Sequence, residues 1–462
     1  MDFIGREEES KAIAYSLEQP GYQGILVSGR RRIGKTELIK HCCSAHFSRF
    51  LYYQCTEDGE LSNAKELSKV IGDYFSIPSL SFDRVAEAID FVFSSAEKEE
   101  VCFVIDEYPY LQKTVPGLDS LLQKIIDAHL HSANLKFFLS GSSVAVMNSL
   151  LGEGQPLHRR FQLSLFLKEQ DYFDAAQYYP SFSLEDKVRL YGAFGGVPYY
   201  LSQIDSSLSV KENIILLLSG RFARLGDEAT LNLKSELTKI SNANAVFSAI
   251  AQGYTRFSDI LSQSHLNSSA LLSAVLDSLL QMDLIRKKAP INDENNGQKF
   301  LYSVSDNALA FYYRYVFRNK SAQAILSDQM FFDTIIADDF ESVFVPHAFE
   351  ELSKEYLILK NKEGHFNPPF SSIGTFWYDD RKTKKNGQFD VVGKNAKGYS
   401  FYEVKFTKNP LDDKAIQNEV VQLKQAGLPV ASIGFISRSG FALKEHYPYS
   451  FLTLDDLYSC GK

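Results

Sequence analysis

The stretch GRRRIGKT at residues 29–36 limits what this chain can fold into more than any other. It fits the pattern GxxxxGK[ST], follows the apolar run GILVSG and opens the helical run TELIKHCC. In such a strand–turn–helix the backbone N–H groups of the turn point inward and cradle phosphate oxygens. The helix N-terminus adds partial positive charge at the same point. The expected contacts to a nucleotide are Gly29, Arg30, Arg31, Arg32, Ile33, Gly34, Lys35, Thr36 and Glu37. Lys35 is expected to reach the β- and γ-phosphates of ATP and Thr36 to hold Mg²⁺. Phosphate geometry does not require the three arginines, which are expected to meet a lid or face water.

A second motif completes the first. In VCFVIDEY, residues 101–108, an apolar strand ends in two carboxylates. Asp106 is expected to bind Mg²⁺ through water, and Glu107 to orient and deprotonate the attacking water. Short apolar runs (GILVSG, RFLYYQC, VCFVIDE, LKFFLSGSS, RFQLSLF) alternate with helix-period segments over residues 1–165, which implies a parallel, doubly wound α/β sheet.

The strands then stop. Residues 166–232 read as a helical lid. Residues 233–305 give three short helices and a β-wing, the pattern of a winged helix. Residues 306–335 read as an aromatic connecting helix, and 336–462 as a last α/β unit. The expected recognition helix, 267–283, carries no Lys or Arg, and only Arg286, Lys287 and Lys288 add positive charge at the wing. Phosphate contacts need such cations, so packing or regulation is the expected role of this module.

FIGREEE, GRRRIGKT, FVIDEYPYL, FFLSGSSVAVM, PLHRRF and GGVPYYL, in that order, resemble the archaeal-type ATPases of the AAA+/STAND superfamily. The resemblance implies a P-loop NTPase core. It implies that Ser140 or Ser142 senses the γ-phosphate, and that Arg159 or Arg160 acts as an arginine finger, with Arg160 the residue chosen here. A finger usually serves a neighbouring protomer, which implies a homo-oligomer. Gly195, Gly196 and Pro198 resemble a lid motif that packs on the nucleotide base, and Arg6 is placed near that base.

The last unit raises a different question. FDVVGKNAKGYSFYEVKF, residues 389–406, reads as a β-hairpin, yet Asp390, Glu403 and Lys405 sit inside its apolar runs. Two carboxylates that meet across a ladder make a hard-cation site, and a lysine beside them can position water. This is the D…ExK pattern of the PD-(D/E)XK, restriction-endonuclease-like fold. The upstream helix PHAFEELSKEYL supplies Glu350 or Glu351, and the resemblance points to Glu350. The expected metal ligands here are Glu350, Asp390 and Glu403, with Asp390, Glu403 and Lys405 catalytic. Gln388 stands where relatives tend to carry an acid.

Composition excludes some classes. The net charge of −8 argues against a protein coated in positive potential. Nucleic acid, DNA or RNA, must therefore meet a local patch: Arg381, Lys382, Lys384, Lys385, Lys394, Lys397, Lys405 and Lys408. The five cysteines form no CxxC pair and point to reduced thiols in a cytoplasmic protein without a zinc site. The most apolar run, NIILLLSG, is too short to span a membrane. The expectation is an ATPase coupled to a nuclease-like, DNA-processing or defence-type domain. The alternative is a STAND-like switch whose C-terminal fold binds nucleic acid or a partner without cutting.

Overall fold

A computed structural model describes residues 3–226, 242–294, 300–380, 385–425 and 429–459. Arg381, Lys382, Lys384, Cys460, most of the wing tip and the expected lid–wing boundary lie outside the described residues. The chain divides into two compact units. One holds residues 1–169 with 197–199 and 281–283; the other holds the remainder.

In the first unit, helix α1 (Glu7–Glu18) precedes β1 (Gln23–Ser28) and α2 (Lys35–His46). Then follow β2 (Leu51–Gln54), α3 (Glu60–Phe75), α4 (Val85–Ser95), β3 (Val101–Asp106), α5 (Tyr108–Thr114), α6 (Leu118–His129), β4 (Leu135–Gly141), α7 (Val144–Leu150) and β5 (Leu163–Phe166). Among the described residues the strands form a parallel sheet in the order β2-β3-β4-β1-β5. Successive strand residues alternate between faces. Phe103, Ile105, Phe137 and Leu139 pack with Leu67, Ile89, Val92 and Leu122 from α3, α4 and α6 in one buried cluster. On the other face, Cys43 of α2 lies 3.5 Å from Cys102 of β3, sulfur to sulfur. Cys42, Cys43, Cys55 and Cys102 are all buried free thiols. The strand order has a consequence for chemistry. Because β4 lies between β1 and β3, the ends of all three strands converge on one edge, where the phosphate loop leaves β1.

Helix α8 (Leu184–Phe194) is capped by Ser183, whose side chain accepts from the Asp186 N–H, and stops at Gly195. Helices α9 (Ala243–Ala251), α10 (Phe257–Gln263) and α11 (Ser269–Gln281) precede an antiparallel pair, β6 (Ile285–Lys288) and β7 (Leu301–Val304). The connector differs from expectation. It is a series of short helical pieces with wide turns at Tyr312–Val316, Phe332–Ile336 and Phe340–Phe344. Large rings pack along its first part: Phe311 lies 4.8 Å from Tyr315, and Tyr313 lies 5.0 Å from Phe247.

The last region runs α12 (Val345–Lys362), β8 (Ser372–Asp380), β9 (Lys385–Asn395), β10 (Gly398–Lys405), α13 (Asp413–Gln425), β11 (Val430–Ser437) and β12 (Ser450–Thr453). β8, β9 and β10 form an antiparallel meander, and β11 and β12 add in parallel beyond β10. The wing closes the β8 edge. The Ile291 N–H donates to the Thr375 carbonyl at 2.9 Å, and Asn292 exchanges side-chain bonds with the Trp377 backbone at 2.7 and 3.2 Å. Unpaired strand edges invite other chains, and this contact covers one.

Candidate active site

The phosphate loop is built as its glycines demand. Gly34 has φ 90°, a conformation that side chains rarely adopt. A Cβ on Gly29 would meet the Leu167 carbonyl at 2.7 Å. Lys35, buried at 5% exposure, donates to the Gly29 and Arg30 carbonyls at 2.9 and 3.0 Å. Its ammonium thus lies folded into the loop. Arg6 donates to the Ile33 carbonyl at 3.1 Å and so braces the loop from behind.

The three arginines are used locally. Arg30 pairs with Glu169 at 2.6 Å, Arg31 donates to the Tyr110 hydroxyl at 2.6 Å, and Arg32 lies 4.1 Å over the Tyr199 ring. Pro198 borders the loop: a Cβ on Gly34 would come within 3.7 Å of it. Ile33 is buried, whereas Glu37 is exposed in the first turn of α2.

Asp106, at the end of β3, is 1% exposed and ringed by neutral donors. The Thr36 and Tyr52 hydroxyls each donate to Oδ2 at 2.7 Å. Ser140 donates to Oδ1, and so does the Glu107 N–H at 3.0 Å. Burial, then the neighbouring Asp106 charge, push the Tyr52 phenol well above its usual range, so it remains a donor. Glu107 has φ 56°, in the left-handed region where non-glycine residues are strained. Its Oε2 accepts from the Ser142 N–H at 3.1 Å and the Ser142 hydroxyl at 2.7 Å. Ser140 and Ser142 therefore bear on the two acids directly. Sequence reasoning missed Tyr52. Its signal was a hydroxyl two residues before the end of the strand that pairs with β3.

Arg160 lies elsewhere. Its carbonyl accepts from Tyr22 and its guanidinium binds both Asp127 oxygens, at 2.9 and 2.7 Å. Gln162 binds Gly24 at the start of β1, whereas the phosphate loop leaves the other end. At about 3.3 Å per residue these ends are roughly 13 Å apart. Within one chain Arg160 does not reach its own loop, so the expected finger role is one toward a second copy. Arg159 beside it is exposed.

The C-terminal cluster is arranged differently. The Lys405 ammonium pairs closely with Glu403 and lies 3.9 Å from Glu419 of α13, a residue that sequence reasoning missed. Burial pushes the Glu403 carboxyl up to about 7; Lys405 opposes the rise, and Glu419 and Asp390 add to it. Asp390 accepts from Gln388 at 2.6 Å, so Gln388 keeps a polar contact there. Glu350 accepts from His347 at 3.1 Å, while Glu351 binds Lys288 of the wing and Lys354. Among the described residues no group of three or more His, Cys, Asp or Glu side chains is placed to hold a metal ion. Of the expected set, Asp390 acts on Glu403 and Glu350 on Lys405 electrostatically, while the Lys405 ammonium sits against Glu403 itself. Of the expected basic patch, Lys397 donates to the Asn367 carbonyl at 3.1 Å, Lys394 lies 5.8 Å from the Tyr399 ring, and Lys408 is exposed. At the wing, Lys287 lies 4.0 Å from the Phe300 ring. No helix among the described residues is long and apolar enough to cross a membrane.

Two family models match parts of the chain. Residues 3–204 match a family described as an ATPase domain predominantly from Archaea. Residues 312–419 match a family of archaeal and bacterial proteins of unknown function. An uncharacterized protein of Methanocaldococcus jannaschii is 28% identical over 407 residues, 87% of each chain. The Walker-type ATPase of Pyrococcus abyssi shares the fold, with TM-score 0.52 and 20% identity, over 68% of this chain and 96% of that one. Over residues 3–204 the chain is thus similar to an archaeal ATPase domain, with a strand–loop–helix and an acidic strand end side by side.

Proposed function

We propose that this protein binds ATP at residues 29–36, hydrolyses it, and couples turnover to a nuclease-like C-terminal fold that meets DNA or RNA. The observation that carries the reading is the 2.7 Å bond from Thr36 to Asp106, beside a loop that already holds Lys35. The hard oxygens of Thr36 and Asp106 suit Mg²⁺. When bound there, Mg²⁺ would offset charge on the β- and γ-phosphate oxygens.

The chain's own residues do the rest. Backbone N–H groups of the loop bind the polyphosphate. Lys35 exchanges two neutral carbonyls for phosphate oxygens, a stronger charge-assisted bond. Ser142 fixes one oxygen of Glu107 and leaves the other to take a proton from water. The water oxygen bonds to the γ-phosphorus as the bond to the β,γ-bridging oxygen breaks, which yields ADP and phosphate. Lys35→Ala should abolish ATP binding. Glu107→Gln should keep binding while phosphate release falls by at least about 100-fold. Normal turnover in both variants would overturn the reading.

The C-terminal part of the proposal is supported by element order. A helix, a three-strand meander, a helix and a parallel strand place Asp390 on the second strand and Glu403-x-Lys405 on the third. A second reading, a regulatory switch without cleavage, is favoured by the Lys405 ammonium between Glu403 and Glu419. Plasmid nicking with Mg²⁺ or Mn²⁺ separates the two. Cleavage lost in Asp390→Ala and Lys405→Ala supports the nuclease. Intact DNA and RNA, with and without ATP, support the switch.

A further inference from the structure

Nothing in the phosphate-loop or acidic-strand motifs calls for Tyr52. Its hydroxyl nevertheless donates to Asp106 Oδ2 at 2.7 Å, the same oxygen and the same distance as the Thr36 hydroxyl. Tyr52 is placed by pairing: β2 runs parallel to β3 with Tyr52 opposite Val104 and Gln54 opposite Asp106. Its long ring spans the two-residue step toward the strand end. The ring is fixed from the other side by Lys40, whose ammonium lies 4.5 Å from the centroid. Thr36 and Lys40 are four residues apart on α2, so one helix face presents both groups to the Tyr52–Asp106 pair.

We propose that Tyr52 is a positioning residue of the nucleotide site, holding the Asp106 carboxylate in the orientation that receives the nucleotide-bound divalent cation. This rests on the ATPase reading above. Ser140 and the Glu107 N–H hold Oδ1, so the orientation of Oδ2 falls to Thr36 and Tyr52. When the Thr36 oxygen turns to a cation, Tyr52 remains as the donor on Oδ2. Tyr52 touches neither phosphate nor water in this role. Its effect therefore falls on the part of nucleotide affinity that the metal confers.

The test is calorimetric titration of ATP into the full chain, in Mg²⁺ and in EDTA, for wild type, Tyr52→Phe and Lys35→Ala. The ratio of the two affinities measures what the metal confers. Tyr52→Phe should lower that ratio about tenfold, the scale of one hydrogen bond to a charged group, with affinity in EDTA unchanged. A merely structural role would lower both affinities together and leave the ratio intact. A ratio equal to wild type, or higher because the phenol competes with the metal's water, overturns the proposal. Absence of ATP binding by wild type in both buffers overturns the ATPase reading as well, whereas binding lost only in Lys35→Ala upholds that reading and leaves Tyr52 to be judged by the ratio.

Discussion

The chain holds two acidic centres, one buried at Asp106 and one partly exposed at Glu403, and their partners are of opposite kinds. Around Asp106 every partner is a neutral donor, three hydroxyls and one backbone N–H, and the nearby cation Lys35 is parked on carbonyls. Around Glu403 the partner is an ammonium two residues along the same strand. A hydroxyl can turn and admit a cation at small cost. An ammonium has to be displaced, and the buried charge it leaves is expensive. The first centre thus meets only uncharged donors, while the second already faces a cation of the chain itself. Carboxylates near a sheet edge do not by themselves make a metal site; the charge of their hydrogen-bond partners decides.

The comparison can be broken most sharply at Asp106. Asp106→Asn keeps the shape and removes the charge, so steady-state phosphate release should fall at least about 100-fold. Activity near wild type would place the cation elsewhere. The next effect is at Lys405. Lys405→Met leaves Glu403 and Glu419 without their ammonium, and should destabilise the fold by about 1–3 kcal/mol, discounted because the pair is partly exposed. Added Mn²⁺ should then raise the melting temperature of the variant more than that of wild type. An equal rise in both would show that the ammonium does not guard the site.

A smaller effect belongs to Glu355, on α12, which accepts from the Tyr191 hydroxyl at 2.9 Å and the Tyr172 N–H at 3.0 Å. Burial pushes its carboxyl up to about 8, against the opposing pull of those two donors. An acid raised in the folded state keeps its proton where the unfolded chain has lost it. Its contribution to stability is full below the usual carboxylate range and lost as pH rises through about 8. Glu355→Gln should flatten this slope between roughly pH 5 and 8 in urea-denaturation midpoints. An unchanged slope would mean the acid is ionised in the fold.

The asymmetry between the centres also shows what a sequence reveals. The strand–turn–helix at residues 23–46 and the strand ending at Asp106 were legible because each is a local pattern set by a strand end and a turn. The 389–406 hairpin was legible from its periodicity. The ring of donors at Asp106 was not, because Tyr52 and Ser140 reach it only through the order β2-β3-β4-β1-β5, which no local pattern states. The same holds for Glu419 beside Lys405 and for the wing on the β8 edge, where Ile291 meets Thr375. Arg160 was placed correctly before β5, but its bidentate bond to Asp127 and its distance from the loop depend on packing.

The most direct test of the contrast counts bound Mn²⁺ by electron paramagnetic resonance on the full chain, with and without ATP. The account predicts one tight Mn²⁺ per chain that appears only with ATP, disappears in Lys35→Ala and is unaffected by Glu403→Gln. Tight Mn²⁺ in the absence of nucleotide, lost in Glu403→Gln and retained in Lys35→Ala, would contradict it.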